Sequence, residues 1–74
     1  MEKILILGGT AQQIKLVEAA KRKGLYTIVV DYLKDSPAKR IADKSYMNDI
    51  HDVDGIVQLC KEEGVKGVIC GYID

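Results

Sequence analysis

The chain has little of what secreted, membrane or nucleic-acid-binding proteins depend on. It contains two cysteines, one proline and no excess charge, since eleven Lys and Arg balance eleven Asp and Glu. Two cysteines are too few for the disulfide framework of a secreted domain. A net charge of zero creates no broad field that would attract nucleic acid or an anionic membrane. We therefore expect neither as a partner.

Long apolar runs are also absent. The longest uncharged one, Ile4 to Leu7, is far shorter than the ~18 residues of a membrane span. No basic stretch followed by a long apolar segment opens the chain, which argues against a secretory signal. These absences predict a cytoplasmic protein with reduced thiols.

The length of 74 residues allows one small core and excludes a second domain. No linker, repeat or low-complexity tract divides the chain, so residues 1–74 are predicted to form a single domain. Because residues 71–74 read as the start of a loop, we expect the chain to be truncated from a larger protein.

Four β-rich runs alternate with helical patterns, which is typical of a parallel sheet with right-handed crossovers. The predicted strands are Ile4–Leu7, Tyr26–Val30, Lys44–Met47 and Gly67–Cys70. The predicted helices run from about Ala11 to Lys23, from Ala38 to about Ala42, and from Asp52 to Gly64. The expected fold is α/β, a Rossmann-like three-layer half domain with strands in the order 3-2-1-4 and helices on both faces. That order leaves the fourth strand as a bare edge.

Helix boundaries have recognisable signals. Thr10 and Gln13 fit a capping box, Ser36-Pro37 fits an N-cap followed by proline, and Asp52 can cap the last helix. Gly24 and Gly64 are expected in the left-handed conformation that ends a helix. The apolar positions predicted to face inward from the last helix are Val53, Ile56, Val57, Leu59 and Cys60.

Ligands of open parallel sheets bind beyond the carboxyl ends of the strands, so the loops there hold the candidate site. Gly8, Gly9 and Thr10 join the first strand to a helix whose free N–H groups and positive dipole end attract phosphate or carboxylate. The same residues also fit a simple tight turn with a cap, and the pattern alone leaves both interpretations open.

A dinucleotide site is poorly supported. Counted from Gly8, the motif G-x-G-x-x-G would need glycines where Thr10 and Gln13 stand. Asp31 does end the second strand about 20 residues on, where an acid can bond a ribose hydroxyl. It can equally cap the loop or orient another polar substrate.

Catalytic and metal-binding sets are not evident. His51 is the single histidine, and no cysteine stands near it at a ligand-like spacing, so we expect no metal site. Cys60 and Cys70 fall in apolar patterns typical of core thiols. The acids that precede the last helix suit its dipole without any catalytic role; they are Asp49, Asp52 and Asp54.

The ordered motifs of the chain resemble a known family. They are K-I-L-I-L-G-G-T from Lys3, K-G at Gly24, T-I-V-V-D from Thr27, S-P-A from Ser36, A-D at Ala42, and the closing I-C-G. Together they resemble the N-terminal, Rossmann-like pre-ATP-grasp domain of ATP-grasp enzymes, and are similar to carbamoyl-phosphate synthase large-subunit-like and related carboxylate–amine ligases. The similarity covers essentially all 74 residues.

The resemblance implies that the intact protein is a ligase that uses ATP and magnesium to activate a small-molecule carboxylate as an acylphosphate, which an amine then attacks. The residues for this chemistry would lie in the missing C-terminal ATP-grasp domains, so the fragment alone would hold no cofactor and would not be an enzyme. It would form one wall of the substrate cleft. The positions that match the family's cleft-facing loops are Gly8, Gly9, Thr10, Asp31, Gly71 and Tyr72.

Two other functions stay open at this point. Asp31 and the glycine loop are compatible with a stand-alone Rossmann-type module that binds a nucleotide or other small ligand. The bare fourth strand and the lack of catalytic side chains are compatible with a non-catalytic interaction domain.

Overall fold

The computed structural model describes residues 2–8 and 11–70, with Cys70 described by its main chain only. Its four strands form one parallel sheet in the order β3-β2-β1-β4. The strands are β1 (Lys3–Leu7), β2 (Tyr26–Asp31), β3 (Lys44–Met47) and β4 (Gly67–Cys70), and the helices are α1 (Ala11–Arg22), α2 (Pro37–Ile41) and α3 (Val53–Glu63). The predicted sheet order is confirmed.

The register brings the carboxyl ends of the strands to one edge. Leu7 of β1 lies opposite Val30 of β2 and opposite Cys70 of β4. On the other side of β2, Asp31 lies opposite Met47 of β3. The loops that follow all four strands therefore leave the sheet at the same edge.

Two apolar clusters hold helices to both faces of the sheet. One joins Leu5, Ile28 and Val30 to Ile56 of α3. The other is built from Ile6 and Val29 with Val17 of α1 and Ala38 of α2. Because successive side chains of a strand point to opposite faces, β1 and β2 supply both clusters at once. The three-layer arrangement predicted from the sequence is thus confirmed.

Most predicted helix ends are confirmed. Asp52 accepts a hydrogen bond at Oδ1 from the Gly55 N–H at 3.1 Å. Gly64 ends α3 with φ of 68° while its N–H donates to the Cys60 carbonyl at 2.9 Å, and Gly24 has φ of 81°. The predicted capping box rests on Thr10, which lies outside the described residues.

Ser36 is the N-cap residue of α2 and Pro37 opens the helix, as predicted. The Ser36 hydroxyl, however, makes no capping bond, and the residue is 3% exposed. The donor it would have satisfied, the Lys39 N–H, instead bonds the Ser36 carbonyl at 3.0 Å. In this short helix a main-chain carbonyl thus accepts the N–H that a side-chain cap would otherwise bind.

The inward orientation predicted for Val53 and Val57 is also wrong. They are 67% and 45% exposed, whereas Ile56 is buried and its neighbours Leu59 and Cys60 pack against the core. Val53 and Val57 form their own i, i+4 line, turned about 60° from the line of Ile56 and Cys60 at 100° per residue. The sheet covers only the side of α3 that carries Ile56 and Cys60.

Candidate functional site

Gly8 forms the turn at the end of β1. It is buried, has φ of 91°, and its N–H donates to the Val30 carbonyl at 2.7 Å. A residue with a Cβ is strained at this φ, so the turn requires glycine. Of the other predicted loop residues, Gly9, Thr10, Gly71 and Tyr72 lie outside the described residues.

Asp31 lies beside this turn, because the carbonyl that Gly8 bonds belongs to the preceding residue. Asp31 is 6% exposed, and its Oδ1 accepts the Leu33 N–H at 2.9 Å. Its own carbonyl accepts the Asn48 N–H at 2.9 Å. The structure therefore brings Gly8 and Asp31 together, with the Asp31 carboxylate turned into its own loop as a cap.

Lys39 is a residue of this edge that the sequence analysis missed. It is 8% exposed, and its ammonium donates to the carbonyl of Asp31 at 3.1 Å and to that of Leu33. The Lys39 ammonium thus links α2 to two carbonyls of the turn that follows β2. Lysines are rarely buried, and nothing in the pattern of a five-residue helix marks this one.

The remaining polar candidates do not form a catalytic set. The His51 side chain is 88% exposed and lies 3.2 Å from Asp49 between Nδ1 and Oδ1, while Cys60 packs on the α3 face of the sheet. The pKa of Asp49 is lowered, first by the hydrogen bond from the His51 main-chain N–H and then by the imidazole. Within residues 2–8 and 11–70, no three His, Cys, Asp or Glu side chains are grouped to hold a metal ion.

A groove of about 380 Å³ lies at the same edge, between the loops that follow β2 and β3. Tyr32, Asp49, Ile50 and His51 line it. Gly8 is not among its described lining residues. No helix among the described residues is long and apolar enough to cross a membrane.

Comparisons with known proteins find relatives that are much longer than this chain. The formate-dependent phosphoribosylglycinamide formyltransferase of Francisella tularensis (strain WY96-3418) is 40% identical over 57 residues, which are 77% of this chain and 15% of that protein. The crystal structure of N5-carboxyaminoimidazole ribonucleotide synthetase from Thermotoga maritima is 34% identical, with a TM-score of 0.81 over 92% of this chain and 18% of that one.

An ADP complex of N5-carboxyaminoimidazole ribonucleotide synthetase is 28% identical, with a TM-score of 0.82 over 96% of this chain and 18% of that one. The chain thus spans less than a fifth of the length of these relatives. Residues 4–74 match the family described as PylC-like, N-terminal domain. The predicted resemblance to the N-terminal domain of an ATP-grasp ligase is confirmed, and the chain belongs to the PylC-like N-terminal domain family.

Proposed function

We propose that this chain is the substrate-side N-terminal domain of an ATP-dependent carboxylate–amine ligase and is not catalytic alone. The observation that carries the proposal is the buried Gly8 turn, hydrogen-bonded to the end of β2, in a chain of this family. Glycine at such a turn puts no side chain between an anionic group and the main chain that follows.

The α1 terminus behind Gly8 suits a carboxylate. The helix is twelve residues long and has no acidic residue in its first turn, so no side chain there neutralises the positive end of its dipole. In the proposal, the N–H groups of Gly9 and Thr10 bind the substrate anion. Asp31 and Lys39 lie beside this site, and the proposal also assigns Gly71 and Tyr72, which follow β4 in the sequence, to substrate binding.

The described residues offer little to the phosphates of ATP or to magnesium. The ammonium of Lys39 is engaged by two carbonyls, and no group of three metal-ligating side chains is present in residues 2–8 and 11–70. We therefore assign the nucleotide and metal to C-terminal ATP-grasp domains. The ADP found with a relative 28% identical to this chain supports nucleotide use by the longer protein.

The surface beside β4 suits contact with those domains. An apolar groove of about 230 Å³ opens on the α1 side; Ile4, Leu16, Ala19, Ala20, Lys23, Leu25 and Ile69 line it. On the opposite side of the sheet, Val68 of β4 is 48% exposed. Among the described strands, β4 pairs only with β1, so its second edge is open to a further strand.

The test is the protein expressed from the full native gene. We expect a product much heavier than 8.2 kDa that releases phosphate from ATP only when a carboxylate and an amine substrate are both supplied. Gly9→Val in that protein is expected to abolish the carboxylate-dependent release while the melting temperature falls little, because a β-branched side chain blocks the anion's approach. A product of the same mass as this chain, or ATP turnover that Gly9→Val leaves intact, would contradict the proposal.

A further inference from the structure

The groove between the loops after β2 and β3 has the size and composition of a small-ligand site. Its volume of about 380 Å³ lies within the range of such pockets, roughly 300–1,000 Å³. Tyr32, which is 68% exposed, supplies an aromatic ring, and the half-buried Ile50 supplies an aliphatic surface. Both side chains suit contact with a flat, apolar ring.

The polar groups of the groove define what that ring must carry. Asp49 Oδ1 is already engaged by the His51 N–H at 2.9 Å and by the imidazole at 3.2 Å. Its Oδ2 accepts no hydrogen bond from the described part of the chain and is available as an acceptor. None of the described lining residues is lysine or arginine, so an anionic group gains nothing there.

We propose that this groove binds an amino-bearing purine base, with its ring stacked on Tyr32 and its exocyclic amino group donating to Asp49. Aromatic stacking of this kind contributes modestly beyond the area it buries, and a hydrogen bond to a charged acceptor is stronger than a neutral one. The site is independent of the Gly8 turn and does not rest on the ligase proposal. A phosphate on the ligand would point to solvent.

Three ligands titrated into the 74-residue chain separate these contributions, with amide chemical shifts as the readout. Adenosine is expected to bind in the millimolar range or tighter, and purine riboside, which lacks the amino group, about fivefold to tenfold more weakly. AMP is expected to bind no more tightly than adenosine, because no lysine or arginine is among the described lining residues.

Variants then assign the contacts. Asp49→Asn keeps an acceptor for the His51 N–H but is expected to weaken adenosine about tenfold while leaving purine riboside unchanged. Tyr32→Ala is expected to abolish both, and Tyr32→Phe to preserve both. Asp54→Asn, an acid of the neighbouring helix turn that does not line the groove, is the matched control.

Several results would overturn the proposal. Absence of shifts at about 10 mM adenosine would exclude a site of useful affinity. Equal binding of adenosine and purine riboside would remove the role of Asp49. Binding that survives Tyr32→Ala, or that AMP strengthens by tenfold or more, would place the ligand elsewhere.

Discussion

Glu63 contacts two ammonium groups and one hydroxyl at the amino edge of the sheet. Its carboxylate accepts from the Lys3 ammonium at 3.2 Å, from the Lys44 ammonium at 2.6 Å and from the Tyr46 hydroxyl. The bond from Lys44, followed by that from Tyr46, lowers the pKa of Glu63 to about 2. One carboxylate thus joins the end of α3 to the first residues of β1 and β3.

This contact set predicts an acid-sensitive contribution to stability. The pKa of Glu63 is lower in the folded state than its ordinary 4.5, so its contribution is complete above about 4.5 and is lost as the pH falls towards about 2. Glu63→Gln is therefore expected to lower the melting temperature at pH 7, by an amount that shrinks as the pH falls towards about 2.

Thermal melts across this pH range, with Glu62→Gln as the control, test the prediction. Among the described residues, Glu62 accepts only from the Gln58 amide, and its replacement should move the melting temperature little at any pH. Curves for Glu63→Gln and wild type that stay parallel down to pH 2.5 would show that the lysine and tyrosine contacts do not favour the ionised carboxylate.

Thr27 makes a reciprocal pair with Asp43. The Asp43 carboxylate accepts the Thr27 N–H at 2.8 Å and its hydroxyl at 2.9 Å, and the Asp43 N–H donates to that hydroxyl at 3.1 Å. Thr27 is fully buried.

Thr27→Val keeps the shape of the side chain but removes two of the three bonds. We expect it to lower the free energy of unfolding, measured in urea, by about 1–2 kcal/mol. Thr27→Ser, which keeps the hydroxyl, should retain more stability; a valine variant as stable as the serine variant would refute the role of the pair.

At the scale of elements, α3 ends because Gly64 adopts φ of 68°, a conformation that costs other residues energy. Gly67 begins β4 with no such φ, and a Cβ built on either glycine meets nothing within 4 Å. Gly64→Ala is therefore expected to lower the free energy of unfolding by about 1 kcal/mol through backbone strain alone. Gly67→Ala should change it by less than about 0.5 kcal/mol. Equal urea midpoints for the two variants would contradict this account.

The elements followed from the sequence more fully than the site did. Strand limits such as Gly67–Cys70 and the left-handed Gly24 and Gly64 were predicted, because turn chemistry and short apolar runs are local properties. The exposure of Val57 was not predicted, because the apolar pattern of a helix does not show how much of the helix surface the sheet will cover. Burial of Lys39 was equally hidden, because the carbonyls that hold its ammonium belong to a turn that exists only once β2 and α2 pack together.

At the scale of the whole molecule, stability is concentrated in the two central strands. Leu5, Ile6, Ile28 and Val29 are all fully buried, and β1 and β2 are bonded on both sides. The outer strands β3 and β4 are each bonded, within the described part of the chain, on one side only. The centre of the sheet is therefore its most stable part, and β3 and β4 are held by fewer strand hydrogen bonds.

This layout predicts the order in which main-chain amides exchange with solvent. Amides of Ile28–Val30 are expected to exchange only through global unfolding, whereas those of Val68–Cys70 that face the open edge should exchange at least about tenfold faster. Exchange followed by NMR on the dilute chain tests this order. A chain that pairs with itself along β4 would protect that strand in a concentration-dependent way, so the measurement is repeated after tenfold dilution. Uniform protection of β2 and β4 at both concentrations would show that β4 is not a free edge, and the surface proposed for the C-terminal domains would then lose its main support.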